Sequence, residues 1–175
     1  MRAVACSAEI GEGAEMVEWA TLVEQRPDLA AAGTQLLYQH GVGLGFLGTV
    51  RADGGPRLHP MCPILHDGGL FALLVPSPKR ADLHRDDRYA LHSFPCPENE
   101  DAFFVAGAAR FVADPTLRAA VVRRFVDERA HLGLSDVDVA DQELFALDVD
   151  RCLLTRTTGH GDPSPRHEVW HAVES

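Results

Sequence analysis

Residues 43–61, which read GLGFLGTVRADGGPRLHPM, decide the fold of this chain. Over 43–51 the residues alternate with a period of two, which is typical of a β-strand. Asp53-Gly54-Gly55 follows as a hairpin turn, because glycine supplies the positive φ that tight turns need. A second strand is predicted over 56–65. Its two prolines, Pro60 and Pro63, cannot donate to a ladder, so they indicate an edge, a bulge or a bend.

Four more strands are predicted downstream of this hairpin. They cover residues 70–75, 88–94, 102–112 and 143–155. The strand over 70–75 is almost wholly apolar, which predicts burial on both faces. Six strands joined by tight turns predict a mainly β protein with a closed or nearly closed antiparallel barrel.

Helices are predicted at four places around these strands. Helical spacing begins near Met16 and resumes over 28–39. Ser77 and Asp114 each precede a proline, the pattern of a capping residue followed by the first helical position. The predicted organisation is a flexible N-terminal arm over 1–15, a barrel domain over 16–158 and a C-terminal tail over 159–175.

Composition limits the function classes. A chain of 175 residues is long enough for one domain, and its net charge of -10 argues against nucleic acid as a partner. No apolar run reaches the roughly 18 residues of a membrane span, and no secretory signal is visible at the start, so we expect a cytoplasmic protein. A small anion could still bind at the local cluster Lys79, Arg80, His84, Arg85 and Arg88, although a solvated helix face is the alternative.

Metal and nucleotide motifs are missing from the sequence. Its four cysteines lie far apart without the spacing of a zinc site, and free thiols are expected. No G-x-G-x-x-G links a strand to a helix, and no P-loop lysine is present. Nor does the spacing of any Ser, His, Cys or carboxylate residues indicate acid–base catalysis, which suits a protein whose cofactor carries the chemistry.

The order of these motifs resembles the pyridoxamine 5'-phosphate oxidase-like family. The resemblance runs over about residues 30–130, through the strand ending in Thr49-Val50-Arg51, the D-G-x-P turn, Arg57-Leu58-His59-Pro60, Ser77-Pro78-Lys79 and the G-x-A of residues 107–109. It implies a six-stranded split β-barrel of the FMN-binding type that dimerises and holds its cofactor between subunits. A basic C-terminal signature for pyridoxal phosphate is missing, so vitamin B6 oxidation is in doubt.

The resemblance also implies a set of cofactor-binding residues. The family's phosphate-binding lysine corresponds to Lys79, beside Ser77, Arg80 and the free amides of a helix start. Strand residues Arg57, His59 and Met61 would lie beside the flavin ring and phosphate. Others could meet the ring: Leu74 and Val75 through their backbone, and Trp170 by stacking.

The predicted function is a flavin-dependent oxidoreductase, a homodimer that binds FMN and acts on a small molecule. Within the same fold the cofactor could instead be FAD, the deazaflavin F-420 or haem. The chain could also be a binding module that performs no turnover.

Overall fold

The computed structural model describes residues 18–134 and 138–172, so the predicted arm over 1–15 lies outside the described residues. The described residues form four helices and eight strands. In chain order these are α1 Trp19–Gln25, α2 Pro27–Leu37, β1 Gly45–Val50, β2 Pro56–Met61, β3 Pro63–His66, β4 Gly69–Leu74, α3 Pro78–Arg85, β5 Arg88–Ser93, β6 Ala102–Phe111, α4 Pro115–Ala130, β7 Glu143–Arg156 and β8 Arg166–His171.

All strand pairs are antiparallel and belong to one sheet. The strand order is β2-β1-β5-β6-β7-β4-β3, and β8 pairs with β7 beside this path. Strands β2 and β3 are consecutive in the chain, yet they lie at opposite ends of this strand order. The sheet therefore curls into a half-barrel. The mainly β, antiparallel fold is therefore confirmed.

The opening hairpin forms as its sequence predicts. Strands β1 and β2 pair from Gly45 opposite Met61 to Val50 opposite Pro56. Gly54 in the connecting turn has φ +80°, a conformation that favours glycine. This hairpin places Thr49 and Arg57 directly opposite each other.

The predicted count of six strands is wrong, since the described residues contain eight. The strand expected over 56–65 breaks at Cys62 into β2 and β3, which pair with β1 and β4 respectively. Pro60 and Pro63 flank the break, as expected of residues that cannot donate to a ladder. The eighth strand, β8, lies in the segment predicted to be a tail and pairs with β7 from Arg156 opposite Arg166 to Arg151 opposite His171.

Two hydrophobic clusters lie on opposite faces of β4. Leu70, Ala72 and Leu74 belong to the larger cluster, which also holds α1 and α2 through Trp19, Leu22 and Leu37. Phe71 belongs to the smaller cluster, where Val121 and Phe125 of α4 pack. The prediction that this strand is buried on both faces is confirmed.

The two predicted helix caps behave differently. Asp114 caps α4, because its carboxylate accepts a hydrogen bond from the amide of Thr116 at 2.8 Å. The capping role predicted for Ser77 is wrong. Its hydroxyl turns back and donates to the carbonyl of Val75 at 2.9 Å, so the side chain does not reach the first turn of α3.

Among the helices of the described segments, none has both the length and the apolar character that crossing a bilayer requires.

Gly107 provides a test of the packing between β6 and β7. A Cβ at this position would overlap the Asp148 backbone carbonyl of the neighbouring strand, beside the irregular register between Ala106 and Gly107. We expect Gly107→Ala to lower the free energy of unfolding by about 3 kcal/mol, because the strands must part. Gly48→Ala is the control, since its Cβ would meet the Ala90 oxygen at 3.4 Å. Equal losses in urea denaturation would contradict this packing.

Candidate functional site

Helix α3 lies along the β1–β2 hairpin, and polar contacts mark its path. Near the start of α3, the Lys79 ammonium donates to the carbonyl of Pro60 at 3.3 Å. One turn later, Arg57 Nε donates to Asp82 Oδ2 at 2.6 Å. At the end of the helix, Arg85 donates to the carbonyl of Val50. The candidate site is the region where β2 meets the first turns of α3.

Asp82 is the centre of the hydrogen bonds between helix and hairpin. Asp82 is buried, with 3% of its surface exposed. Oδ2 accepts from Thr49 Oγ1 at 2.9 Å as well as from Arg57, and Oδ1 accepts from both terminal nitrogens of Arg85 at 3.3 Å. A buried carboxylate needs such partners. Each of its two oxygens has charged donors.

Two opposing effects act on the pKa of Asp82. Burial raises the pKa, while hydrogen bonds from Arg57, Thr49 and Arg85 lower it, with help from the Arg57 charge. The hydrogen bonds outweigh burial, so the pKa lies below the ordinary 3.8. Asp82 is therefore a carboxylate at neutral pH.

Strand β2 presents its predicted site residues on one face. Arg57 and His59 are half-buried, Met61 is buried, and the intervening Leu58 and Pro60 are exposed on the other face. Arg57 faces α3 through Asp82, and the alternation of the strand places His59 on the same side. Met61 continues into the hydrophobic core and is 6% exposed.

Lys79 carries a positive charge on an ammonium group that is partly buried. Partial burial lowers the pKa of its ammonium below the usual range. In the described chain its hydrogen-bond partner is the carbonyl of Pro60, so two of its three donor positions stay unused. The amides of Lys79 and Arg80 precede the first helical bond, which Ala81 donates to Ser77. An anion here would meet both side-chain and backbone donors.

Other predicted residues lie apart from this space or contribute backbone. Arg80 turns to the far side of α3, where it donates to the Asp141 carbonyl at 2.9 Å and lies 3.6 Å from the Glu143 carboxylate. Trp170 is buried, and its indole donates to Gln25 of α1 at 3.0 Å. This contact makes Trp170 a packing residue of the core.

Leu74 is the last residue of β4, and Val75 follows it, before the start of α3. Leu74 is buried in the core, whereas Val75 is exposed. Strand β3 pairs only with Gly69 to Ala72, so in the described structure the following backbone has no strand partner on that side. The carbonyl of Val75 accepts a hydrogen bond from the Ser77 hydroxyl.

The outer face of the sheet carries a row of mainly apolar residues. This row of paired residues crosses six strands, from β2 through β1, β5, β6 and β7 to β8: Pro60, Phe46, His92, Phe104, Leu153 and Val169. A groove of about 460 Å³ opens on this face, lined mainly by Phe46, Leu58, Ala90 and Phe104. Leu58 is 65% exposed at its edge. Exposed apolar patches of this kind often mark surfaces that bind a partner.

His92 is the polar residue at the centre of that row. Its Nδ1 lies 2.7 Å from the carbonyl of Ser93, which fixes the proton on Nδ1 because a carbonyl only accepts. His92 is also one of the residues that line the groove.

Asp82 and Thr49 are functional candidates that sequence reasoning missed. Arg85 was expected in an anion-binding cluster, but it binds Asp82 and the carbonyl of Val50 instead. The signal that could have found them is the acidic residue placed between Lys79 and Arg85, since an isolated carboxylate inside a basic helix is a natural partner for an arginine.

The donors at this site suit a phosphate group. Lys79 offers unused ammonium protons, and Arg57 binds Asp82 through Nε, which leaves both terminal nitrogens without an acceptor in residues 18–134 and 138–172. Guanidinium and ammonium groups beside free helix amides are the ordinary donors to phosphate. No cluster of three or more metal-ligating side chains occurs within the same residues.

Known structures share this architecture. A heme binding protein from Mycobacterium smegmatis superposes with a TM-score of 0.59 at 20% identity over 81% of this chain, which spans 58% of that protein. A Clostridium acetobutylicum protein related to general stress protein 26, of the pyridoxinephosphate oxidase family, gives 0.57 at 12% identity over 87% of this chain and 95% of that protein. An F420 reductase gives 0.52 at 19% identity, over 67% and 94% respectively.

The chain has the pyridoxamine 5'-phosphate oxidase-like fold. At identities of 20% or less, the likeness shows the fold alone. No protein-family model and no curated protein matches the sequence.

Asp82 should make stability depend on pH in a defined direction. Because its folded pKa is depressed, its stabilisation is present above the unfolded value, about 4, and is lost as the pH falls through the folded value below 3.8. We expect Asp82→Asn to lower the free energy of unfolding by about 1–2 kcal/mol at pH 7, since solvent reaches Arg57 and Arg85 and screens the pairs. The difference from wild type should shrink as the pH falls below about 4 in urea denaturation; a constant difference would contradict this expectation.

Proposed function

We propose that this protein is a flavin-binding oxidoreductase that holds FMN and acts on a small organic molecule. The observation that supports it is the pair of cations with unused donors, Lys79 and Arg57, between β2 and α3. In a chain of net charge -10, such a local concentration of positive charge favours one anionic group at one place.

Different residues would bind the phosphate and the ring of the cofactor. Lys79 and Arg57 would hold the phosphate, together with the amides that follow Ser77 at the start of α3. His59 lies on the same face of β2 as Arg57, and the backbone at Leu74 and Val75 offers donors and acceptors to a polar ring edge. Arg80 and Trp170 are left out, since each binds elsewhere. When bound, a flavin supplies hydride transfer, while the protein supplies position and electrostatics.

A homodimer completes this proposal. The apolar row across the outer face, with the groove at its centre, would be covered by a second copy of the chain. An isolated chain would leave Leu58 and Val169 more than half exposed. The proposed partner face and the phosphate site meet at β2, whose alternating residues face opposite ways.

Deazaflavin F-420 is an alternative for the same site. It is another phosphorylated coenzyme with a flat ring, and the F420 reductase of the same fold supports it. The cations at Lys79 and Arg57 serve either cofactor, so the chain's contribution would be the same.

Haem is a second candidate, and His92 favours it. His92 lines an apolar groove together with the aromatic side chains of Phe46 and Phe104, and imidazole is a common ligand of haem iron. The heme binding protein of the same fold adds support. This candidate places the ring at the outer face rather than beside Lys79.

The phosphate assignment can be tested with two neighbouring cations. We expect Lys79→Ala to weaken FMN binding about 10- to 100-fold while leaving riboflavin binding nearly unchanged, because riboflavin lacks the phosphate. Arg80→Ala is the matched control and should lose less than about threefold for FMN, since its guanidinium binds Asp141 and Glu143. Both are measured by quenching of flavin fluorescence. Equal losses of FMN and riboflavin in Lys79→Ala would defeat the assignment.

The dimer is tested at Leu58. We expect sedimentation of the wild type at micromolar concentration to show a dimer, and Leu58→Glu to weaken association at least about tenfold, because a charge would enter an apolar interface. Val23→Glu, at an exposed apolar side chain of α1, is the control and should stay dimeric. A wild-type monomer with cofactor present would overturn the dimer.

A further inference from the structure

We infer that Asp82 is the positioning residue of the anion site, which holds the Arg57 guanidinium so that its two terminal nitrogens face the ligand. The inference rests on the proposed function for the identity of the ligand. Asp82 touches no proposed ligand atom and would act through Arg57.

The hydrogen bonds assign different tasks to the two arginines around Asp82. Arg57 uses only Nε on the carboxylate, so both terminal nitrogens stay unused. Arg85 uses both terminal nitrogens on Oδ1, and one also donates to the Val50 carbonyl at the end of β1. Arg85 therefore anchors Asp82 to the hairpin, while Arg57 is the one with donors left over.

Burial makes this arrangement rigid. The Asp82 side chain is 4% exposed, whereas that of Arg57 is 26% exposed. A carboxylate held by Thr49 from β1 and by Arg85 cannot turn without leaving donors unpaired. A long arginine side chain loses less entropy on binding when its conformation is already fixed.

Asparagine would not reproduce the contacts. Asp82 accepts on both oxygens, but an amide accepts only on one. The amide nitrogen of Asp82→Asn would point its protons at the protons of either Arg57 or Arg85, so one guanidinium must move away. Removing the negative charge also favours an anion nearby, but the loss of orientation should dominate, because the carboxylate charge is already matched by two guanidiniums.

The experiment compares Asp82→Asn, Arg57→Ala and the double variant with wild type. The first measurement is the ratio of FMN to riboflavin affinity, which a general loss of structure would not change. We expect Asp82→Asn to lower this ratio about tenfold, as is common when a partner that orients a binding group is removed. In the Arg57→Ala background the same substitution should change the ratio less than about twofold, because the residue through which Asp82 acts is gone.

Glu128→Gln is the matched control for removing an arginine-bound carboxylate. Glu128 accepts from Arg124 at 2.7 Å on α4 and is likewise buried. The Glu128→Gln substitution should leave the ratio of FMN to riboflavin affinity unchanged. Asp82→Glu keeps the charge and should recover part of the ratio.

A second measurement needs no ligand. The Nε proton of Arg57, assigned in the NMR spectrum by its loss in Arg57→Ala, should exchange slowly with solvent in wild type and rapidly in Asp82→Asn. An unchanged exchange rate would overturn the inference, whatever flavins bind. An unchanged affinity ratio in Asp82→Asn, with wild type preferring FMN, would overturn it as well. Wild type without preference for FMN would instead overturn the proposed function and leave the exchange rate to decide the role of Asp82.

Discussion

The hydrogen-bonded carboxylate of Asp82 joins α3 to the first hairpin, and the candidate site depends on this contact. Among the buried residues of α3, Leu83 is the one apolar side chain, so hydrophobic packing alone gives this short helix little hold on the sheet. Polar contacts add to this hold, and those of Asp82 with Thr49 and Arg57 reach both strands of the hairpin. The same bonds that dock the helix also bring Arg57 of β2 to α3, the helix that carries Lys79.

The outer face and the anion site place two different demands on β2. Its alternation sends Leu58 to the apolar face and Arg57 to α3, so one strand serves both surfaces. In our proposal a second copy of the chain covers the apolar face, and the ligand lies on the Arg57 face. The cations on that face are why we favour a phosphorylated flavin-type cofactor over a ligand that is wholly apolar.

Local signals predicted much of the fold, and long-range contacts account for what they missed. The D-G-G turn and the Asp114 cap depend on a few neighbouring residues, and both form as predicted. The break of the second strand at Cys62 and the pairing of β8 with β7 depend on partners far along the chain. The same holds for the candidate site: a motif predicts Lys79, whereas the bond from Arg57 to Asp82 spans 25 residues and leaves no local pattern.

The measurement that tests the central claim most directly is the visible absorption spectrum of the purified protein, with mass analysis of the chromophore that acid releases. The account predicts a flavin or deazaflavin spectrum and the mass of a phosphorylated compound, either as purified or after FMN or F-420 is added. A Soret band from haem, in a protein that binds neither added FMN nor added F-420, would contradict the phosphate site at Lys79 and Arg57. That outcome would move the functional site to His92 and the apolar face.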